Sequence, residues 1–215
     1  MVEENKIQAV YRYLLEYYGE QQWWPADDDF EVMVGAILTQ NTSWTNVEKA
    51  MSQLKSRGLC SATALQYISQ QELAPVIRSS GYYNQKAERL KSFANWYLEQ
   101  GEYTSLNKQE TTELRPALLA LKGVGNETCD DILLYALHRP VFVIDSYTRR
   151  IFSRLGCFED KLKYGFYQQQ FQQSLPADVE LYKQYHALIV VHAKQFCRKE
   201  PDCEGCPLVD HCQFC

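Results

Sequence analysis

Along most of this chain apolar side chains return every three or four positions, the repeat that gathers them on one face of an α-helix. Ile7, Val10, Tyr11, Leu14 and Tyr18 keep that spacing up to Gly19, a residue suited to the left-handed turn that ends helices. Asp28 and Glu31 stand at capping-box spacing beside Phe30, Val34, Ile37 and Leu38, and Thr45 and Glu48 repeat the device beside Val47, Met51 and Leu54. The same periodicity predicts helices over residues 62–69, 72–78, 85–99, 113–121, 127–137, 146–155 and 181–196. One run, HRPVFVI at 138–144, is extended in type; with no second strand to pair with, it reads as a buried connector. The fold class implied is all-α. No repeat, low-complexity run or long linker divides the chain, so two lobes would have to be defined by packing.

At 215 residues the chain can bury a substantial core. No apolar run reaches membrane-spanning length, and a soluble intracellular protein, cytoplasmic or nucleoid-associated, is expected. In that setting the eight cysteines read as reduced thiols or metal ligands. Five of them fall within 197–215 together with Pro201, Gly205 and Pro207, a stretch that needs a crosslink or a metal to order it. A net charge of −5 argues against generic affinity for nucleic acid, because counterion release rewards a basic surface. Backbone amides and helix N-termini can still hold phosphates. Basic residues do gather locally, as Arg149, Arg150, Arg154, Lys161 and Lys163 and as Lys194, Arg198 and Lys199; each group alone reads as a solvated face.

The segment LLALKGVGNETCDDILLYAL at 118–137 is an apolar helix, a Gly-Val-Gly turn and a second amphipathic helix. Gly123 and Gly125 permit a tight turn and leave amides open to a phosphate, although a plain helical hairpin would use them equally well. With VFVIDSYTRRIFSRLG, FEVMVGAILTQNT and SGYYNQKAERL, this hairpin resembles the helix-hairpin-helix superfamily of DNA glycosylases, the endonuclease III family, over most of the chain. The resemblance implies two helical lobes with a cleft between them. Residues 1–25 and 138–215 would form a terminal lobe, with an iron–sulfur loop at 197–212; residues 26–137 would form a helical barrel lobe, with the hairpin at 114–137. The implied partner is double-stranded DNA carrying a damaged base, with no membrane, and the implied state is a monomer.

Asp145 is the catalytic residue the resemblance implies. Breaking an N-glycosidic bond develops positive charge on the sugar, which a facing carboxylate stabilises while it orients the attacking water. Asp145 also stands where an aspartate ordinarily caps a helix beginning at Ser146, and the two roles are compatible. Lyase members of the family carry a lysine in the second hairpin helix for Schiff-base chemistry. Glu127 occupies that position here and cannot form an imine, which implies a monofunctional enzyme.

WWP at 23–25 and an aromatic at Trp44 are similar to the 3-methyladenine glycosylase branch of this family. The base pocket so implied contains Trp23, Trp24, Pro25, Trp44 and Glu127, with Lys194 reaching it from the last helix. Alkylated purines of the 3-methyladenine and 7-methylguanine type are cationic, so aromatic faces attract them and their glycosidic bond is already weak. Core packing is the plainer use of such aromatics, and of two adjacent tryptophans one is expected in the core. Glu127 equally suits an exposed first helical turn, and Lys194 equally suits solvent. Gln40 and Asn41 resemble residues that enter the duplex to fill the gap left by the flipped base, and Tyr82 and Asn84 a second loop at the DNA.

Cys197, Cys203, Cys206 and Cys212, spaced C-x5-C-x2-C-x5-C, resemble the family's [4Fe–4S] ligands, apart from a slightly short first spacing. Cys203, Cys206, Cys212 and Cys215 also read as two C-x2-C knuckles for zinc. Cys60, Cys129 and Cys157 read as buried thiols. Two other functions stay open: a glycosylase for damaged or mismatched pyrimidines, and a non-catalytic DNA-binding iron–sulfur protein.

Overall fold

A computed structural model describes residues 5–21, 23–159 and 161–215. In chain order the helices are α1 (Lys6–Tyr18), α2 (Asp29–Leu38), α3 (Trp44–Ser56), α4 (Ala62–Tyr67), α5 (Gln70–Val76), α6 (Tyr83–Glu99) and α7 (Glu102–Leu106). These are followed by α8 (Thr111–Leu119), α9 (Asn126–Asp131), α10 (Ser146–Arg154), α11 (Tyr164–Ser174) and α12 (Val179–Gln195). No strand occurs among the described residues, and none of the helices is long and apolar enough to cross a membrane. The chain forms two compact units, Met1–Trp23 with Pro140–Cys215, and Trp24–Arg139. The first boundary falls between the two adjacent tryptophans, so Trp24 and Pro25 belong to the second unit.

In the first unit α1 buries Ile7, Val10 and Leu14, and the buried hydroxyl of Tyr185 in α12 donates to the Ile7 carbonyl at 2.7 Å. Of the expected connector at 138–144, residues 140–144 belong to this unit, with Phe142, Val143 and Ile144 buried. Its backbone needs partners, and α11 supplies them in place of a neighbouring strand. Phe142 N donates to Gln172 Oε1 at 3.0 Å, Gln168 Nε2 donates to the Phe142 carbonyl at 2.8 Å, and Ile144 N donates to the Tyr164 hydroxyl.

The second unit is built around α2, in which every residue from Phe30 to Leu38 is buried. Asp28 caps α2 by accepting from Glu31 N at 2.8 Å, but the Glu31 carboxylate accepts from Asp27 N and pairs with Lys55 instead of closing the box on Asp28. The second expected box does not form. Ser43 is the N-cap of α3, so Thr45 already lies two residues past the capping position. The second hairpin helix changes pitch after Asp131 into a π-turn over Ile132–Ala136, with Leu137 N donating to the Ile132 carbonyl at 3.0 Å.

Candidate active site

Asp145 follows the buried connector and is the N-cap of α10, with extended backbone. Its Oδ1 accepts from Thr148 N at 2.6 Å and from Thr148 Oγ1 at 2.7 Å, and its Oδ2 lies 3.6 Å from His186 Nε2 of α12. Burial alone would raise the Asp145 carboxyl, but the nearby His186, 3.6 Å away, together with the Thr148 donors, holds it below the ordinary carboxylate range. A nearly buried, ionised carboxylate therefore stands at a helix N-terminus with one oxygen committed to the cap. Sequence reasoning missed both partners. Thr148 was signalled only by its capping spacing, and His186 lies in the apolar run YHALIV, where an ordinary core histidine would look the same.

In the second unit Trp24 packs on α2, where a Cβ added at Gly35 would sit 3.2 Å from Trp24 Cζ2. Its ring meets Trp44 edge to face, with centroids 5.0 Å apart and planes at 85°, and lies 5.2 Å from Tyr135 of the π-turn. Trp24, Pro25, Trp44 and Met51 line a pocket whose polar wall includes Glu48 and the Glu31–Lys55 ion pair. Glu127 is exposed on the first turn of α9, and the described lining of this pocket does not include it. In the first unit, Lys194 Nζ lies over the Trp23 ring, 5.6 Å from its centroid.

The hairpin turns through Gly123 at φ +87°, where a side chain would also strike Arg89. Gln40 is bound to this turn. Its Nε2 donates to the Gly123 carbonyl and to Thr128 Oγ1, both at 2.9 Å, and its Oε1 accepts from Arg89. Both ends of the Gln40 amide are thus engaged in bracing the hairpin, while Asn41 is exposed at φ 53°. Tyr82, at φ 46°, is 64% exposed, and Asn84 is exposed at the start of α6. Gly125 leaves open space where its side chain would be.

Cys197, Cys203, Cys206, Cys212 and Cys215 line one cavity with Ile151, Leu155 and Phe196. Arg154 donates to Cys197 Sγ at 3.3 Å, and Cys212 Sγ donates to the Arg154 carbonyl. Burial raises the Cys206 thiol, against a backbone hydrogen bond at Leu208 that lowers it. Cys203 is joined to Cys215 by a disulfide, so ligation through Cys203 requires its reduced form. Several sulfurs thus line one cavity, but among the described residues no group of three or more is arranged to hold a metal ion. Elsewhere, burial pushes the thiols of Cys60 and Cys129 up to about 12, as expected of inert thiols.

The sequence pattern of the HhH-GPD superfamily base excision DNA repair proteins matches residues 34–177. A protein of Methanocaldococcus jannaschii, whose name proposes it as a DNA repair glycosylase, is 48% identical over 98% of this chain and 99% of its own length. The crystal structure of the 3-methyladenine DNA glycosylase MagIII of H. pylori, bound to 1,N6-ethenoadenine, superposes with a TM-score of 0.75. It is 29% identical, over 88% of this chain and 95% of that one. An endonuclease III in a non-covalent DNA complex covers 100% of this chain and 97% of its own, with a TM-score of 0.84 at 20% identity, a likeness of fold. On the match to residues 34–177 and the full-length relative together, this chain belongs to the HhH-GPD superfamily of base excision DNA repair proteins.

Proposed function

We propose that this chain is a monofunctional DNA glycosylase that extrudes alkylated purines and hydrolyses their N-glycosidic bond with Asp145 and water. The observation that carries the reading is the ionised, nearly buried Asp145 carboxylate held by Thr148 and His186. A carboxylate with a lowered pKa is a weak base, so its main contribution is to stabilise the positive charge developing on the sugar and to orient water. That suffices for a base that is cationic while bonded to the sugar and departs as a neutral leaving group. The Trp24 and Trp44 faces, with Glu48 nearby, suit a flat cationic purine, and the likeness to a 3-methyladenine glycosylase supports the same substrate. Asn41 and Tyr82, exposed at the tips of two turns, are the side chains that would enter the duplex.

The test is release of abasic product from a panel of duplexes, each carrying one lesion and cleaved afterwards with alkali. Release from 3-methyladenine or 7-methylguanine is expected. Excision of oxidised or mismatched pyrimidines alone would replace the substrate and leave the glycosylase standing. Abasic product should persist uncleaved, and borohydride should trap no protein–DNA adduct, because Glu127 supplies no amine. Efficient trapping would assign lyase chemistry to a lysine elsewhere.

Cys197, Cys203, Cys206 and Cys212 would hold a [4Fe–4S] cluster, which when bound would crosslink and order the loop after α12. Protein purified without oxygen should be brown and contain about four irons, and Cys203→Ser should bleach it. Colourless protein with stoichiometric zinc would shift the ligands to the set containing Cys215.

A further inference from the structure

Lys86, in the first turn of α6, is 1% exposed. Its ammonium donates to two backbone carbonyls, Leu38 at 2.9 Å and Ser80 at 2.6 Å. Leu38 is the last residue of α2, and Ser80 ends the short 3-10 turn Arg78–Ser80. Carbonyls at such ends lack partners within their own helix and carry the negative end of its dipole, so one lysine closes both. Three residues beyond Leu38 and two beyond Ser80 the chain passes through exposed left-handed residues, Asn41 at φ 53° and Tyr82 at φ 46°. One turn further along α6, Arg89 donates to Gln40, whose amide nitrogen in turn bonds the hairpin.

We propose that Lys86 is a positioning residue that fixes the Asn41 turn relative to the Tyr82 turn, so that both engage one DNA duplex at the extruded nucleotide. This rests on the reading of the chain as a duplex-binding glycosylase. Burial, and the nearby Arg89 cation, lower the Lys86 pKa to about 8. A buried cation held only for packing has cheaper replacements: methionine has similar length and no donor. The donors matter because two chain reversals hang from them, and either carbonyl without its partner frees the turn that follows it.

Lys86→Met and Lys86→Gln, the latter keeping donors for one carbonyl, are to be compared with wild type by binding to a duplex carrying a tetrahydrofuran abasic analogue. Base release is measured in parallel from the same lesion in duplex and in single-stranded oligonucleotide, and amide hydrogen exchange over the whole chain. Lys86→Met should bind the duplex about tenfold more weakly or worse. It should release base from single strands within about twofold of wild type. Exchange should quicken at 39–42 and 80–82 and stay unchanged at 123–125, with Lys86→Gln intermediate. Equal losses on duplex and single strand, loosening spread through the whole second unit, or unchanged duplex binding in a folded variant would each overturn the proposal. If Lys86→Met does not fold, Lys86→Gln decides by the same criteria; failure of both to fold would make Lys86 a general stability residue and overturn it too. Wild-type protein that does not bind the abasic duplex would instead remove the DNA reading itself.

Discussion

Asp145→Asn is expected to slow single-turnover base release by at least about a hundredfold, roughly 2.7 kcal/mol of transition-state stabilisation, while fold and binding to an abasic duplex persist. Asparagine is as good an N-cap as aspartate, so the bonds from Thr148 N and Oγ1 can survive the change; the negative charge cannot. A purely capping role predicts the opposite outcome, near-normal release. Acid titration gives a second reading. The folded-state carboxyl is held below its ordinary value of 3.8, so the unfolded chain takes up more protons as the pH falls through that range. The stabilisation is therefore fully present above the unfolded value and is lost as the pH falls through the folded one. Denaturant titrations should show wild type losing stability more steeply than Asp145→Asn in that window. Asp145 should add no acidic limb to the rate between about pH 7 and pH 5.

Trp24→Ala is expected to reduce release of 3-methyladenine by roughly tenfold to several thousandfold, and to weaken binding to an abasic duplex far less. Lost stacking accounts for about 1–3 kcal/mol and the lost cation–π attraction for about 0.5–2 kcal/mol. An abasic duplex presents no base to the pocket, so it reports packing damage alone. Trp24 also packs on Gly35, Trp44 and Tyr135, and a wholly structural tryptophan would lower stability, release and abasic binding together, by about 3–5 kcal/mol in stability. Trp24→Phe, which keeps a flat face, should recover most of the release if the face is what the substrate uses.

These two residues differ in how much of their setting could be read beforehand. Asp145 was legible twice, as a helix cap and as the aspartate of a family segment, because both signals are local. His186 was not, since nothing in a helical apolar run marks which histidine will meet a carboxylate from a distant helix. Gln40 shows the reverse error. Its neighbours resemble a duplex-entering motif, but an amide finds its partners by proximity, and Gly123, Thr128 and Arg89 engage both of its ends. Trp23 and Trp24 are adjacent in sequence, yet the division between the compact units falls between them.

By itself the sequence determined the helical class, most helix positions, the hairpin turn, the extended connector and the family, because these rest on local periodicity, capping chemistry and ordered motifs. Tertiary structure alone decided that side chains of α11 satisfy the connector's backbone, that Glu31 turns to Lys55 instead of closing a box, and that one lysine closes two helix ends. The physical reason is common to all three. A buried polar group takes whichever partner the packed chain brings within about 3 Å, and the distance along the sequence does not record that meeting.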